Sequence, residues 1–82
     1  MTKEEIIDVI KQNIVDNLDD VEITEIDPQK TMKDYGANSL DIIEVVSSSM
    51  RELNIKIPRS ELADISNIDG LADKFFEYAG KE

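Results

Sequence analysis

The six residues GANSLD, at positions 36–41, place the hydroxyl of Ser39 where an irregular stretch ends and an apolar helical run begins. Such a hydroxyl can cap the helix, attack a substrate, or receive a chemical group from another enzyme. Attack requires an activating base, and the chain contains no histidine. Asn38 can serve as the cap, with Asp41 three residues later completing a box-like pair. The motif alone therefore leaves capping and modification of Ser39 as alternatives.

Other combinations of reactive side chains do not predict an enzyme. Asp41 and Glu44 lie three residues apart on a predicted helix, a spacing more typical of a solvated face than of an acid/base pair. The absence of cysteine excludes a thiol nucleophile, disulfides and thiolate zinc sites. Six acids occupy residues 16–27, but the glycine required by an EF-hand loop is missing there. We expect neither catalysis nor a metal site.

Composition limits the size of the fold and the kind of partner. The chain has 82 residues, of which 40% are hydrophobic, so we expect one compact domain spanning residues 1–82. Its 19 acids and 9 bases leave a net charge of -10. Such a charge repels nucleic acid and anionic membranes and attracts basic protein surfaces. With neither a signal segment nor an apolar run of about 18 residues, we expect a cytoplasmic protein.

Hydrophobic spacing and capping signals predict the main helices. Thr2 and Glu5 form a capping box for a first helix over about residues 3–18. A second helix is predicted over about residues 39–53, followed by an extended connector at residues 54–58. The buried stripe of the first helix is predicted to be Ile6, Ile10, Ile14 and Leu18. That of the second is predicted to be Ile42, Val45, Val46, Ser49, Met50 and Leu53.

The remaining segments predict a long loop and two further helices. Residues 19–38 are interrupted by Pro28, which favours a loop with one short helical turn at about residues 28–32. A short helix follows at residues 60–65, and a last helix is capped within residues 66–69 and closed by Gly80. The predicted fold class is all-α, a small bundle of three main helices and one short helix. The side chains predicted to pin the loop are Val21, Ile23, Ile26, Met32 and Tyr35.

This order of elements, with YGANSLD at the second helix and IKIP after it, resembles an acyl carrier protein over about residues 3–79. The resemblance implies a non-catalytic carrier with 4′-phosphopantetheine, taken from coenzyme A, on Ser39. A phosphopantetheinyl transferase would attach this group, and acyl groups would be carried as thioesters on its terminal thiol. The family's partner-facing positions match Leu40, Asp41, Ile43, Glu44 and Ser47.

Departures from the family pattern point to a subtype. Asn38 stands where most members have aspartate, and the second helix is less acidic, with three serines at residues 47–49 and Arg51 after them. These features resemble free-standing polyketide carriers, including those that supply an acetyl unit to a hydroxymethylglutaryl-synthase-like enzyme during β-branching. The resemblance implies a monomer whose partners include an acyltransferase and a ketosynthase or such a synthase. A fatty-acid or aminoacyl carrier, or an acidic helical interaction module without a prosthetic group, stays as an alternative.

Overall fold

The chain folds into helices and turns around one hydrophobic core. A computed structural model of the protein describes residues 2–18, 20–62 and 67–79, and no β-strand occurs within those ranges. The helices are α1 (Lys3–Asn17), α2 (Ser39–Leu53), α3 (Arg59–Leu62) and α4 (Ile68–Ala79). Two 3₁₀ turns, Ile23–Glu25 and Met32–Tyr35, lie between α1 and α2. The all-α prediction, with three longer helices and one short one, is confirmed.

The start of α1 is set by the predicted capping box. The Thr2 hydroxyl accepts the Glu5 N–H at 3.2 Å, and the Glu5 carboxylate accepts the Thr2 N–H at 3.0 Å. Hydrogen bonding of the Glu5 carboxylate by Thr2, first by its backbone N–H and then by its side chain, lowers the pKa of Glu5. The helix ends at Asn17, one residue before the predicted end, and Leu18 is only partly buried as its C-cap.

The core lies where α1 packs against α2 and α4. The predicted isoleucine stripe of α1 and Val45 of α2 are fully buried, and Phe75 of α4 is 0% exposed. Ile42 and Met50, predicted to be buried, are only partly so. The stripe residues at 0% exposure are Ile6, Ile10 and Ile14.

Two polar side chains are buried between α1 and α2. The amide of Asn13 donates to the Ser49 hydroxyl at 3.3 Å and to a Glu52 carboxylate oxygen at 3.1 Å. The Ser49 hydroxyl in turn donates to the Val45 carbonyl at 2.8 Å. Because the Ser49 hydroxyl both accepts and donates a hydrogen bond, the side chain can be 0% exposed without an unsatisfied polar group. Ser49 is therefore buried, as predicted.

The loop before α2 is fastened to the start of α4. The Asp69 N–H donates to the Pro28 carbonyl at 2.8 Å, and the Ile68 N–H donates to the Lys30 carbonyl at 3.1 Å. Within the loop, the Tyr35 hydroxyl accepts the Asp27 N–H at 2.6 Å. The loop carbonyls thus satisfy N–H groups that the first turn of a helix leaves without partners.

The structure corrects two predictions about this loop. The single helical turn predicted at about residues 28–32 is a shorter hydrogen-bonded turn, in which the Lys30 N–H donates to the Asp27 carbonyl at 2.9 Å, and the two 3₁₀ turns lie on either side of it. It does not continue as a helix because the Pro28 and Lys30 carbonyls accept N–H groups of α4 instead. Ile23 does not pin the loop: it is 39% exposed, and Ile26, three residues later, takes the buried position. Met32 is buried as predicted, and Val21 and Tyr35 are partly buried.

The second half of the chain closes the core. Residues 55–58 have no regular structure, as predicted, and Ile55 and Ile57 are buried. The predicted continuation of α3 to residue 65, the cap at Ser66 and the closure at Gly80 lie outside the described residues. Asn67 caps α4 by accepting the Gly70 N–H at 2.7 Å.

Polar contacts join α4 to its neighbours. The Lys3 ammonium of α1 lies 2.8 Å from Asp73 and 2.9 Å from Asp69, and these partners, Asp73 first, raise the pKa of Lys3. Burial, followed by its hydrogen bond to Glu61 at 3.0 Å, raises the pKa of Tyr78. None of the helices described is long and apolar enough to cross a lipid bilayer.

Candidate functional site

Ser39 is the first residue of α2, and its side chain is exposed. The cap of this helix is Asn38, whose side-chain oxygen accepts the Asp41 N–H at 2.8 Å. The Asp41 carboxylate accepts the Asn38 N–H at 3.1 Å and completes the box. Within the described part of the chain, the Ser39 hydroxyl makes no hydrogen bond. The structure thus assigns capping to Asn38 and leaves the serine hydroxyl exposed beside it.

The residues before Asn38 hold the start of α2 in place. Gly36 adopts a left-handed conformation, with φ of 90°, and closes the second 3₁₀ turn through an N–H bond to the Lys33 carbonyl at 3.0 Å. A Cβ at Gly36 would meet nothing within 4 Å, so glycine is favoured there by backbone conformation rather than by lack of space. Ala37 is buried, and its N–H donates to the Met32 carbonyl at 3.2 Å.

A capping box that sequence reasoning missed begins this turn. The Thr31 hydroxyl accepts the Asp34 N–H at 3.3 Å, and the Asp34 carboxylate accepts the Thr31 N–H at 2.9 Å. The threonine and the acid are three residues apart, which is the spacing of a capping box. That signal could have placed the turn at Met32–Tyr35, directly before the glycine that leads into α2.

The predicted partner-facing residues differ in exposure. Leu40 is 71% exposed and Ile43 is 46% exposed, so two large apolar side chains three residues apart lie side by side at the surface of α2. Glu44 is also exposed, whereas Ser47 is half-buried. These four follow one another at helical spacing along one side of α2. Asp41 is half-buried, and its carboxylate contributes to the cap as well as to the local negative charge.

A recess of about 300 Å³ lies between the loop, α2, α3 and α4. Ile42 and Val46 line it, and they follow Ser39 by three and seven positions, which places them on its side of the helix. The α2, α3 and α4 residues that line the recess are apolar, and its polar lining comes from Thr31 and Lys33 of the loop and the α4 cap Asn67. The other lining residues are Thr31, Met32, Lys33, Leu62, Asn67, Ile68 and Leu71.

These features define a small helical bundle, in which an exposed serine hydroxyl lies at the start of the helix that also presents apolar side chains to solvent. Residues 8–75 match the family described as PP-binding, phosphopantetheine attachment site. The chain therefore belongs to the phosphopantetheine-binding acyl carrier proteins, as its resemblance to that family predicts. Members of this non-catalytic family carry acyl groups on 4′-phosphopantetheine.

Two curated relatives and one solved structure resemble the chain over most of its length. It is 31% identical over 77 residues to the polyketide biosynthesis acyl-carrier-protein AcpK of Bacillus subtilis (strain 168), with 94% of each chain covered. It is 33% identical over 79 residues to an acyl carrier protein of Cyanidioschyzon merolae (strain NIES-3377 / 10D), covering 95% of this chain and 86% of the relative.

The solved structure is the crystal structure of the curacin biosynthetic pathway HMG synthase in complex with acetyl donor-ACP. The TM-score is 0.82 at 33% identity, with 92% of this chain and 96% of the other covered.

The geometry at the start of α2 fits the family's prosthetic group. An attachment residue needs a hydroxyl that solvent and an enzyme can reach, and the side chain of Ser39 is exposed. A phosphodiester needs compensation of its negative charge, and the N-terminal end of a helix provides a partial positive charge. Both requirements are met at one residue.

Proposed function

We propose that Ser39 carries the 4′-phosphopantetheine arm and that a phosphopantetheinyl transferase installs it from coenzyme A. The observation that carries this proposal is the exposed Ser39 hydroxyl, whose capping task is performed by Asn38. A phosphodiester at this position gains from the α2 dipole, while the cap beneath it keeps the helix start ordered.

The attachment reaction uses the serine oxygen as nucleophile. Ser39 Oγ forms a bond to the phosphorus that bears the pantetheine, 3′,5′-ADP leaves with the electrons of the broken P–O bond, and the hydroxyl proton passes to a base of the transferase. We assign the base to the transferase because no described residue of this chain is hydrogen-bonded to the Ser39 hydroxyl and placed to take its proton. When attached, the arm supplies a thiol that holds acyl groups as thioesters, a sulfur nucleophile that this cysteine-free chain lacks.

We propose that the carrier delivers acetyl groups to an HMG-synthase-like enzyme in polyketide β-branching. The support is the likeness to AcpK and to the chain solved with the curacin pathway HMG synthase as acetyl donor. The exposed apolar pair Leu40 and Ile43 offers a contact at the centre of such an interface, and Glu44 attracts a basic rim. The proposed contact set is Leu40, Asp41, Ile43, Glu44 and Ser47.

The recess beside α2 supports a short cargo. Its volume of about 300 Å³ is at the lower end of the range of about 300–1,000 Å³ for ligand pockets. An acetyl group needs little shelter, whereas a long acyl chain would leave much of its apolar surface in water. We propose further that residues 1–82 act as one carrier domain.

Intact mass tests the attachment residue. The chain is incubated with coenzyme A, magnesium and a broad-specificity phosphopantetheinyl transferase, beside Ser39→Ala and the control Ser60→Ala. Ser60 is an exposed serine in the first turn of α3, so it matches Ser39 in type and in helical setting. We expect the parent and Ser60→Ala to gain one phosphopantetheinyl group and Ser39→Ala to gain none. A gain in Ser39→Ala, or none in the folded parent, would contradict the proposal.

A second variant tests whether the transferase distinguishes asparagine from aspartate at position 38. Asn38→Asp keeps the capping oxygen and adds the charge that most family members carry. We expect it to be modified at least as fast as the parent, because the carboxylate adds an attraction for a basic transferase surface. Slower modification would show that the amide, rather than the family's carboxylate, is what the transferase prefers in this chain.

Acetyl transfer tests the pathway role. The acetylated carrier is mixed with the curacin-pathway HMG synthase or, separately, with a fatty-acid ketosynthase. The intact mass of each enzyme is then measured to detect a transferred acetyl group. We expect faster acetylation of the synthase. Preferential transfer to the ketosynthase would favour the fatty-acid alternative while leaving Ser39 as the attachment residue.

A further inference from the structure

A second groove lies at the C-terminal end of α2, away from Ser39. It has a volume of about 360 Å³ and combines an apolar floor with two basic side chains. Ile55 is buried and Met50 is half-buried at the floor, while Arg51 and Lys56 are exposed. We call it the basic groove, and its lining residues are Ser47, Met50, Arg51, Asn54, Ile55 and Lys56.

The two basic side chains of the basic groove have no ion-pair partner among the described residues. Arg51 makes one side-chain hydrogen bond, to the Ser48 hydroxyl at 3.5 Å, and neither Arg51 nor Lys56 forms an ion pair with any residue in the described ranges. The adjacent acid, Glu52, accepts a hydrogen bond from Asn13 of α1 instead. Arg51 and Lys56 are therefore both available to pair with a carboxylate from outside the chain, whose own net charge is -10.

The basic groove continues the proposed partner face along α2. Leu40, Glu44, Ser47 and Arg51 follow one another at spacings of three and four residues, so they lie along one side of the helix. Ser47 belongs both to the proposed contact set and to the groove lining. Glu44 and Arg51 are seven residues apart, which is about 10 Å along the helix axis. One helix face thus presents negative charge near Ser39 and positive charge two turns away.

We propose that the basic groove receives an acidic side chain, Asp or Glu, of the HMG-synthase-like enzyme that takes the acetyl group from this carrier. This inference rests on the proposed function. With a basic rim opposite Glu44 and a carboxylate opposite Arg51 and Lys56, the partner contacts two charges of opposite sign on one face. A docking pose reversed along the helix brings like charges together, so the pattern selects the orientation that directs Ser39 towards the active site.

Charge reversal with a matched control tests the proposal. The pair Arg51→Glu and Lys56→Glu is compared with Lys11→Glu and Lys30→Glu, which change the net charge equally but lie on α1 and in the loop. Each protein is first loaded by the transferase, and its affinity for the curacin-pathway HMG synthase is then measured by isothermal titration calorimetry at low salt. We expect the groove pair to weaken binding about tenfold or more and the control pair by less than about threefold.

The outcomes separate this inference from the proposed function. Normal loading of all variants with selective loss of synthase binding in the groove pair supports the inference. Equal losses in both pairs would overturn it, because total charge alone would then explain them. Slower loading of the groove pair with unchanged synthase binding would place the transferase in the groove and also overturn it. Failure of the parent to gain the arm would instead refute the attachment proposal.

Zero-length cross-linking provides a second, direct measurement. A carbodiimide joins the Lys56 amine to a carboxylate in contact with it, and mass spectrometry locates the resulting amide. We expect a link from Lys56 to an Asp or Glu of the synthase, absent in Lys56→Arg although that variant still binds. A synthase linked only through other lysines of the carrier would overturn the assignment of the groove.

Discussion

The separate roles of Asn38 as the cap of α2 and of Ser39 as the proposed attachment residue can be tested by replacing each with alanine. Asn38→Ala removes the oxygen that accepts the Asp41 N–H at 2.8 Å and leaves that N–H to water. Loss of a polar N-cap costs about 1 kcal/mol, within a range of about 0.5–2 kcal/mol. For a domain of this size, the midpoint of thermal unfolding falls by about 4–8 °C for each kcal/mol. Ser39→Ala removes an exposed hydroxyl without a hydrogen bond to the described residues, and such changes stay within about 0.5 kcal/mol.

The assay is thermal unfolding followed by circular dichroism at 222 nm, in parallel with the mass measurement of pantetheine attachment. We expect Asn38→Ala to be less stable yet still modified, and Ser39→Ala to be as stable as the parent yet unmodified. Asn38→Asp serves as the control, because it keeps the capping oxygen and should retain the parent's stability. An equal loss of stability in both alanine variants would refute the reasoning, since it would show that the serine hydroxyl shares the cap.

Three further perturbations separate binding from stability. Glu44→Lys should weaken binding of a basic partner while changing stability by less than about 0.5 kcal/mol. Asp41→Lys should lower both partner binding and stability, because the Asp41 carboxylate also accepts the Asn38 N–H at 3.1 Å. Calorimetric titration measures the binding and thermal unfolding measures the stability of each variant. Phe75→Ala empties a site that is 0% exposed and should cost about 3–5 kcal/mol, so a parent-like unfolding transition would contradict the assigned core. The carboxylates of α4 raise the pKa of Lys3 above 10.5, so its stabilisation is present below that pH and is lost as the pH rises through the raised value. Urea unfolding across this range should show a smaller decline in Lys3→Met, and an unchanged decline would exclude the ion pair as its cause.

Local signals predicted the helices closely. The second helix, predicted over residues 39–53, coincides with α2 at Ser39–Leu53, and the Thr2–Glu5 and Asn38–Asp41 boxes both form. Capping boxes and helical periodicity depend on residues only three or four positions apart, so they can be read without knowing the fold. The exposure of Leu40 and Ile43 was also foreseeable, because α2 carries more apolar side chains than one buried stripe can hold.

The loop between α1 and α2 was harder to predict. The Pro28 and Lys30 carbonyls of the loop accept the N–H groups of Asp69 and Ile68, which are about forty residues away in sequence. No local sequence pattern indicates such a contact. Short 3₁₀ turns carry too little periodicity to be recognised, although the Thr31–Asp34 spacing was a usable signal. The exposure of Ile23 follows from the burial of Ile26, a choice made by packing rather than by residue type.

The sequence by itself determined the fold class, the helix starts and the candidate serine, because these depend on composition and on neighbours within one helical turn. Only the tertiary structure decided that Asn38 rather than Ser39 caps α2, since the Asn38 side chain is bonded to Asp41 and the Ser39 hydroxyl is exposed. It alone also joined α2 to the connector after it, bringing Arg51 and Lys56 to one groove while Glu52 bonds across to α1. Side chains near in sequence diverge around a helix and distant ones converge, so contacts of this kind exist only once the elements are packed.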